Sequence, residues 1–459
     1  MVEILKAIDD VSKKKLNVSE LLDIIVQEAF ERKASDIHLE AREGNNLLVR
    51  YRIDGMLRDI ATIGNNLEES ILFIIKVRAK LRTDIHFAPQ DGKILFSFKM
   101  QEKPVAPIEE KKEEEEKKDV EKKDQKEEKK DEKTEESISP PTPSIIEDGT
   151  YRIDARISIL PVTFGEKVVI RLLSQNNRAF GLADLGFEPD DLAKVEASYR
   201  EPYGLILSTG PTGSGKTTTL YSILKILNTR NVNITTIEDP VEYNIEGVNH
   251  IQINTKSDLT FANGLRSILR QDPNIIMVGE IRDTETARIT VNSALTGHLV
   301  LSTIHANDAI SAIPRLIDMG IEPFLVASTV NIIISQRLAR RLCDHCKTDY
   351  VIGKDEEQKD LLKLRPDLAK YLSTTDKLFK ANGCSKCDNT GYSGRIGIYE
   401  ILKTNKEIRD VIINEPTTDS IYAAAKKQGF KLMVEDGILK LKKGVVSLEE
   451  LMRVVAIKE

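Results

Sequence analysis

Tyr203-Gly-Leu-Ile-Leu-Ser-Thr-Gly-Pro-Thr-Gly-Ser-Gly-Lys-Thr-Thr218 decides how the chain folds. Residues 203–209 form an apolar run that predicts a buried strand. Gly210, Pro211, Thr212, Gly213, Ser214 and Gly215 predict a glycine-rich turn, and Lys216, Thr217 and Thr218 open a helix continued by Leu220, Ile223 and Leu224. The spacing of Gly210, Gly215, Lys216 and Thr217 is that of a phosphate-binding loop, G-x-x-x-x-G-K-[ST]. Glycines let the backbone curl so that several N–H groups face one phosphate at the positive end of a helix. Lys216 then reaches the β- and γ-phosphates, and the Thr217 hydroxyl helps hold Mg²⁺. The bland reading, an ordinary glycine-rich loop, lacks a reason for the strand before and the helix after. The chain is expected to bind a nucleoside triphosphate.

Three further segments place polar groups at the ends of apolar strands. Ile234-Thr-Thr-Ile-Glu-Asp-Pro-Val-Glu242 delivers Glu238, and Ile275-Ile-Met-Val-Gly-Glu280 ends in a second carboxylate. Thr296-Gly-His-Leu-Val-Leu-Ser-Thr-Ile-His305 carries a histidine at each end, His298 and His305. Taken singly, a carboxylate at a strand end is as readily a helix cap, and a histidine after glycine as readily structural. Together they suit triphosphate hydrolysis, which needs a positioned water and charge neutralisation more than a covalent catalyst. Glu238 or Glu280 is expected to orient the water, with Glu280 also a candidate Mg²⁺ ligand because Gly279 stands where an aspartate usually holds the metal. His298 or His305 is expected to sense the γ-phosphate.

Around this core the chain is long enough, at 459 residues, for about three domains. No apolar run reaches the ~20 residues that span a bilayer, and the acidic start, Met1 to Asp10, is unlike a signal peptide. A cytoplasmic location is expected. The formal net charge is −6, but residues 109–136 hold 15 acidic and 10 lysine residues, so −5 belongs to that block and −1 to everything else. Such a near-neutral remainder gives no sign of nucleic-acid binding.

Upstream, Asn17 to Phe30 predicts a helix with a capping box from Asn17 to Glu20. Strands are expected at Ala34–Ala41 and Leu47–Ile53, with a hairpin turn at Asp54-Gly55. A helix follows at Leu67–Lys80, then strands at Lys93–Met100 and Thr150–Ser158. Ile159–Leu173 predicts another strand pair turning at Gly165. Residues 101–149 have almost nothing to bury and read as a solvated insert, either disordered or a lone exposed helix. Lengthening a loop from a few residues to nearly fifty costs only roughly 2 kcal/mol of closure entropy. After a linker from Asn176, alternating strands and helices imply a largely parallel sheet.

Four cysteines fall in two C-x-x-C pairs, Cys343/Cys346 and Cys384/Cys387. Four thiolates in two knuckles suit a closed tetrahedral structural zinc site. Disulfides and a redox pair are the alternatives, and a reducing cytosol works against the first. His345 is not needed as a ligand, and residues 347–383 must loop back to bring the pairs together.

The set GPTGSGKTTT, TIEDPVEY, LRQDPNIIMVGEIRD and TGHLVLSTIHAND resembles the secretion ATPase superfamily of type II secretion and type IV pilus assembly. ASDIHLE, RYRIDG, PQDGKI and ARISILPVTFGEKVVIRLL resemble that family's second N-terminal domain. The resemblance implies an α/β fold: a RecA-like P-loop NTPase domain with a smaller α+β N-terminal domain, a tetracysteine zinc subdomain and a helical C-terminal part. The implied boundaries are a short segment at 1–16, the N-terminal domain at 17–100 plus 150–178, the insert at 101–149, the ATPase core at 179–340, the zinc subdomain at 341–390 and the C-terminal helices at 391–459. It also implies ATP as substrate, a homohexamer, and an inner-membrane platform protein as partner, so that membrane contact is indirect and peripheral. Arg156 and Arg171 become candidate phosphate contacts, a role a guanidinium fork suits, and Arg266 and Arg270 are weaker ones. The tetracysteine element points to an assembly or secretion motor. A retraction motor of the same superfamily, and a nucleotide-gated regulatory module with little hydrolysis, are the alternatives. Relatives often carry a further N-terminal docking domain, and the insert is a candidate substitute for it.

Overall fold

The computed structural model describes residues 2–44, 46–64, 67–99, 150–173 and 181–455. The charged insert and the linker from Asn176 lie outside the described residues. Fifteen strands are described. The first six are β1 (Ala34–Arg42), β2 (Asn46–Ile53), β3 (Met56–Ile63), β4 (Gln90–Lys99), β5 (Thr150–Val162) and β6 (Gly165–Leu173), in a sheet of order β3-β2-β1-β6-β5-β4. The next three are β7 (Gly204–Thr209), β8 (Ile234–Glu238) and β9 (Val248–Gln252). β10 (Ile275–Ile281), β11 (Leu299–Ile304) and β12 (Val330–Leu342) follow, then β13 (Thr348–Val351), β14 (Lys377–Lys380) and β15 (Tyr392–Lys403). Two compact units emerge, one of Met1–Glu28, Glu40–Leu47 and Thr62–Ala179, the other of Ala29–Leu39, Leu48–Ala61 and Phe180–Glu459.

Local chemistry explains the early elements. The helix Val18–Glu31 starts at a reciprocal capping box: the Asn17 N–H donates to Glu20 Oε2 at 2.8 Å, and the Glu20 N–H donates to Asn17 Oδ1 at 2.9 Å. Asp54 and Gly55 both have positive φ (49° and 84°), the geometry of a two-residue hairpin turn between β2 and β3. A helix, Val2–Ser12, lies in the short N-terminal segment 1–16. One feature departs from the sequence reading. Ile159–Leu173 is not a separate strand pair, because β5 runs on through Pro161 to Val162 before turning into β6.

The second sheet has the order β15-β12-β7-β11-β10-β8-β9. β12, β7, β11, β10, β8 and β9 are parallel, and β15 is antiparallel to β12. Both faces are buried, as a parallel sheet requires. One face packs Ile206, Ile234, Met277, Leu301 and Ile334 against the helices Pro189–Tyr199 and Lys216–Leu227. The other packs Leu207, Ile237, Val278, Val300 and Ile333 against the helices Phe261–Ile268, Thr284–Leu295 and Ala312–Asp318. β15 corrects the expected boundary at 391, since the C-terminal part begins with a twelve-residue sheet strand and becomes helical only from Lys406. Gly394 and Gly397 hide the alternation that would have announced it.

Candidate functional site

All six residues of β7 are buried, and the chain turns directly from Thr209 into the loop. Gly210, Gly213 and Gly215 have φ of 139°, 77° and 93°, and a Cβ at Gly210 would stand 2.4 Å from the Gln336 carbonyl. Only glycine tolerates both conditions. Pro211, Thr212 and Gly213 are exposed at the tip, Ser214 is buried, and Thr217 and Thr218 sit half-buried in the first helical turn. The Lys216 ammonium donates to the carbonyls of Gly210 (2.9 Å) and Pro211 (3.0 Å). Neutral carbonyls are weaker acceptors for a cation than phosphate oxygens. Burial pushes the Lys216 pKa below its ordinary value, and the negative charge of Glu280 opposes that shift.

Two braces escaped the sequence reading. Gln336, on β12 and 1% exposed, donates from Nε2 to Ser214 O (2.8 Å) and accepts from Thr219 Oγ1 (2.8 Å). Thr209 Oγ1 donates to Ala306 O (2.7 Å) and accepts from the Ala306 N–H (3.0 Å), tying the segment after His305 to the end of β7. Nothing in a polar residue within an apolar strand announces a partner about a hundred positions away.

The two carboxylates separate. In β10, Val278 pairs with Ser302 but Ile281 with Ile304, so β10 carries one extra residue at Gly279–Glu280. That is a β-bulge, which re-aims a side chain. Ile276 and Val278 face one layer of helices, and Ile281 faces the same layer instead of alternating away. Glu280 is thereby turned off that face. Its Oε2 lies 3.4 Å from His305 Nε2, and its Oε1 pairs with Arg282, which also reaches within 3.8 Å of Asp239. The carbonyls freed by the bulge accept hydroxyls from β11: Ser302 on Val278 O and Thr303 on Gly279 O, both at 2.8 Å.

Glu238 is 2% exposed and its oxygens are occupied. Tyr221 Oη donates to Oε2 (2.5 Å), and Thr236 Oγ1 to Oε1 (2.6 Å). His250 Nδ1 lies 3.0 Å from Oε1, and its Nε2 accepts the Ile245 N–H at 3.1 Å, so the proton sits on Nδ1. Burial first, and then the Glu238 charge, push the Tyr221 phenol far upward and keep it a donor. Glu238 thus ties the helix after the loop to β9.

His298 lies away from the loop. It precedes β11, and its carbonyl accepts the N–H of Gly204 at the start of β7 (3.1 Å), so it lies at the edge of the sheet opposite the loop. Its Nδ1 contacts Ser293 O at 3.0 Å. His305 leaves the C-terminal end of β11, the end where parallel sheets bind ligands. Arg266 is engaged with Glu285 on the next helix, and Arg270 donates to the Arg266 carbonyl (3.0 Å).

On the first sheet, Lys93, Arg156 and Arg171 stand opposite one another on β4, β5 and β6. Lys93 and Arg171 are exposed and Arg156 is half-buried. The row adds Lys93 to the two arginines expected from the sequence. Alternation with the buried Ile94 and Phe96 was its available signal.

The four cysteines come together because Cys343 directly follows β12 and Cys384–Cys387 precede β15, whose pairing matches Leu342 with Tyr392. All four are free thiols with Sγ atoms within 4.8 Å of one another. Cys343–Cys384, Cys346–Cys387 and Cys384–Cys387 stand at 3.9, 3.7 and 3.7 Å. A disulfide needs about 2.05 Å. Tetrahedral zinc with Zn–S bonds of about 2.3 Å needs sulfurs about 3.8 Å apart. The N–H groups of Cys384 and Gly391 donate to Cys387 Sγ, both at 3.2 Å, as a thiolate requires. Burial opposes ionisation there, but these donors bring Cys387 down to about 6. The donor set fits zinc. Exposed His345 is outside it, and the β13–β14 pair lies within the loop that joins the two knuckles.

Fold and loop define an α/β protein whose parallel sheet ends in a cradle for the phosphates of a nucleotide. A family model described as type II/IV secretion system protein matches residues 11–106 and 144–453. The type II secretion system protein E of Pseudomonas aeruginosa is 40% identical over 434 residues, covering 95% of this chain and 74% of that protein. The type IV pilus assembly ATPase PilB of Thermus thermophilus is 38% identical over 434 residues, covering 93% of this chain and 42% of that protein. The fold is shared with the Legionella pneumophila ATPase DotB (TM-score 0.59, 19% identity, 94% of each chain). It is also shared with the pilus retraction motor PilT bound to ADP (TM-score 0.55, 24% identity, 94% and 95% covered). The chain belongs to the type II/IV secretion system protein family.

Proposed function

We propose that the chain is a hexameric ATPase motor that powers assembly of pilin or pseudopilin filaments, in type IV pilus assembly or type II secretion. The observation that carries this reading is the β-bulge at Gly279–Glu280, with Glu280 3.4 Å from His305 at the end of the sheet from which the phosphate loop also leaves. In this reading Glu280 is the base, Lys216 the cation and His305 the γ-phosphate sensor. Glu280 orients the attacking water, Lys216 neutralises charge on the phosphates, and Thr217 with Glu280 would hold Mg²⁺, which supplies further charge neutralisation when bound. His305 reads the γ-phosphate through Glu280. Lys93, Arg156 and Arg171 contribute phosphate contacts from the N-terminal domain, a role supported by their alignment across three strands.

The tetracysteine lobe, a structural zinc site in this reading, supports assembly or secretion over retraction. The partner is an inner-membrane platform protein, reached from the cytoplasmic side, and no described helix is long and apolar enough to cross a membrane. Phosphate release by the purified chain is the test. Turnover abolished in Lys216→Ala is expected, and a Lys216→Ala protein as active as the wild type would sink the reading.

A further inference from the structure

Beneath the segment that follows His305, one row of polar side chains crosses an otherwise apolar sheet face. Thr209 on β7 pairs with Ser335 on β12, and Ser335 pairs with Glu400 on β15. By alternation all three share the face of Leu207, Ile333 and Leu402, and they are 0%, 0% and 1% exposed. Thr209 grips Ala306 at both its N–H and its carbonyl. Glu400 Oε1 accepts the N–H of Ala309 at 3.0 Å. The segment 306–309 is therefore hung between the two ends of the row. The hydroxyl of Ser335, between them, is buried without a hydrogen-bond partner. A native structure rarely leaves such a group unused.

The second oxygen of Glu400 points elsewhere. Oε2 accepts the N–H of Met433 at 3.2 Å, the first residue of the helix Met433–Lys442. That helix is fastened to β15 again where Asp436 accepts the Tyr399 N–H (2.8 Å) and Lys440 donates to Gly397 O (2.8 Å). At its far end it meets the cysteine lobe. Lys442 lies 3.3 Å from Asp376, Lys347 donates to Gly444 O (3.1 Å), and the Leu342 N–H donates to Val445 O (2.8 Å). A buried carboxylate shared between two backbone donors transmits displacement well. Moving either donor leaves a desolvated group unpaired, which costs about 1–3 kcal/mol.

We propose that Glu400 is the positioning residue that couples the His305 segment to the helix Met433–Lys442, and through it to the cysteine lobe. The lobe is then an output element of the motor, and the spare Ser335 hydroxyl offers the segment a second place to bond when it shifts. The inference rests on the proposed ATPase function.

Hydrogen exchange over residues 433–442, with and without a non-hydrolysable ATP analogue, reads the coupling in the full chain. In the wild type, the analogue is expected to change protection of these amides. Glu400→Gln keeps the volume but can accept only one of the two N–H groups. It should bind the analogue within twofold of wild type, turn over ATP at least tenfold more slowly at unchanged KM, and lose the protection change. Met433→Pro removes only the N–H on Oε2, at a helical position that suits proline, and Met433→Ala controls for the lost side chain. Met433→Pro should lose the protection change and Met433→Ala should keep it, which decides the matter even where Glu400→Gln fails to fold. A folded Glu400→Gln with wild-type turnover and protection change, or identical behaviour of the two Met433 variants, overturns the coupling. A wild type that binds the analogue with its protection change but releases no phosphate overturns the ATPase reading instead.

Discussion

Glu238 and Glu280 stand at the ends of neighbouring strands, and replacing each by glutamine should produce opposite defects. Glu238 accepts hydrogen bonds from Tyr221, Thr236 and His250. Glutamine must direct its one carbonyl oxygen at Thr236 and His250, because His250 Nδ1 can only donate once Nε2 accepts from Ile245. Its amide then faces Tyr221, which must reverse and leave its own proton unpaired. Losing one buried, charge-assisted bond costs about 1.5–3 kcal/mol. For a unit of this size that lowers Tm by roughly 3–8 °C. Glu280 holds no such buried bonds, and its partner Arg282 is 57% exposed, so that pair is worth at most about 1 kcal/mol. Glu280→Gln should leave Tm nearly unchanged and lower kcat about 10²–10⁴-fold, the range for loss of a positioned base. Differential scanning calorimetry beside steady-state phosphate release measures both. If Glu238→Gln abolishes turnover at normal Tm while Glu280→Gln stays active and melts early, the roles are reversed and the argument from the bulge is wrong.

Elemental analysis should find one zinc per chain, and Cys387→Ser should lose it and lower Tm while nucleotide binding persists; metal-free native protein would contradict the site. Gln336→Leu deprives Ser214 O and Thr219 Oγ1 of their partner, so ATP affinity should fall about 5–10-fold, equivalent to ~1–1.4 kcal/mol, in a protein that still folds; titration with a fluorescent nucleotide reads this. Burial alone would raise the Glu450 pKa, but hydrogen bonds from Arg453 and Arg340 win and hold it at about 2, below its ordinary 4.5. The stabilisation is therefore fully present above pH 4.5 and is lost as pH falls towards 2. Denaturation of Glu450→Gln should show a deficit on the order of 2–3 kcal/mol at pH 7 that closes across that interval, and a deficit independent of pH would refute the assignment.

What was legible in the sequence acts through neighbours in the chain. Gly210 to Thr217 specify their loop by φ preference and by the helix they start, and the Asn17–Glu20 box and the Asp54-Gly55 turn are equally local. The cysteine pairs were legible because four thiols restrict one another's geometry wherever the intervening chain goes. The partners of Glu238 were not legible, because Tyr221 and His250 come from a helix and a strand with no pattern linking them to it. The position of His298 was legible. In a parallel sheet only the residue leaving a strand can meet the loop that leaves its neighbour, and strand direction alone separates His305 from His298. Gln336, Ser335 and Glu400 were invisible for the same reason as each other, since register between distant strands brings them to the site.

The glycine before Glu280 draws these points together. An aspartate at position 279 would place its Cβ 3.2 Å from Ile237 O and 3.2 Å from the Glu238 Cα, tighter than a side chain readily accepts. The close approach of β8 that crowds it also holds Glu238 where Tyr221 can bind it. The extra residue of the bulge moves Glu280 off the face of Val278 and Ile281, and the hydroxyls of Ser302 and Thr303 satisfy the carbonyls that the bulge releases. The aim of the glutamate is a consequence of one backbone irregularity. Ser302 and Thr303 lie on β11, and the next residues out are Ile304 and His305. The strand that stabilises the bulge therefore also delivers the histidine that contacts Glu280, which leaves the carboxylate and its sensor little freedom to move apart without breaking the two hydroxyl bonds beneath them.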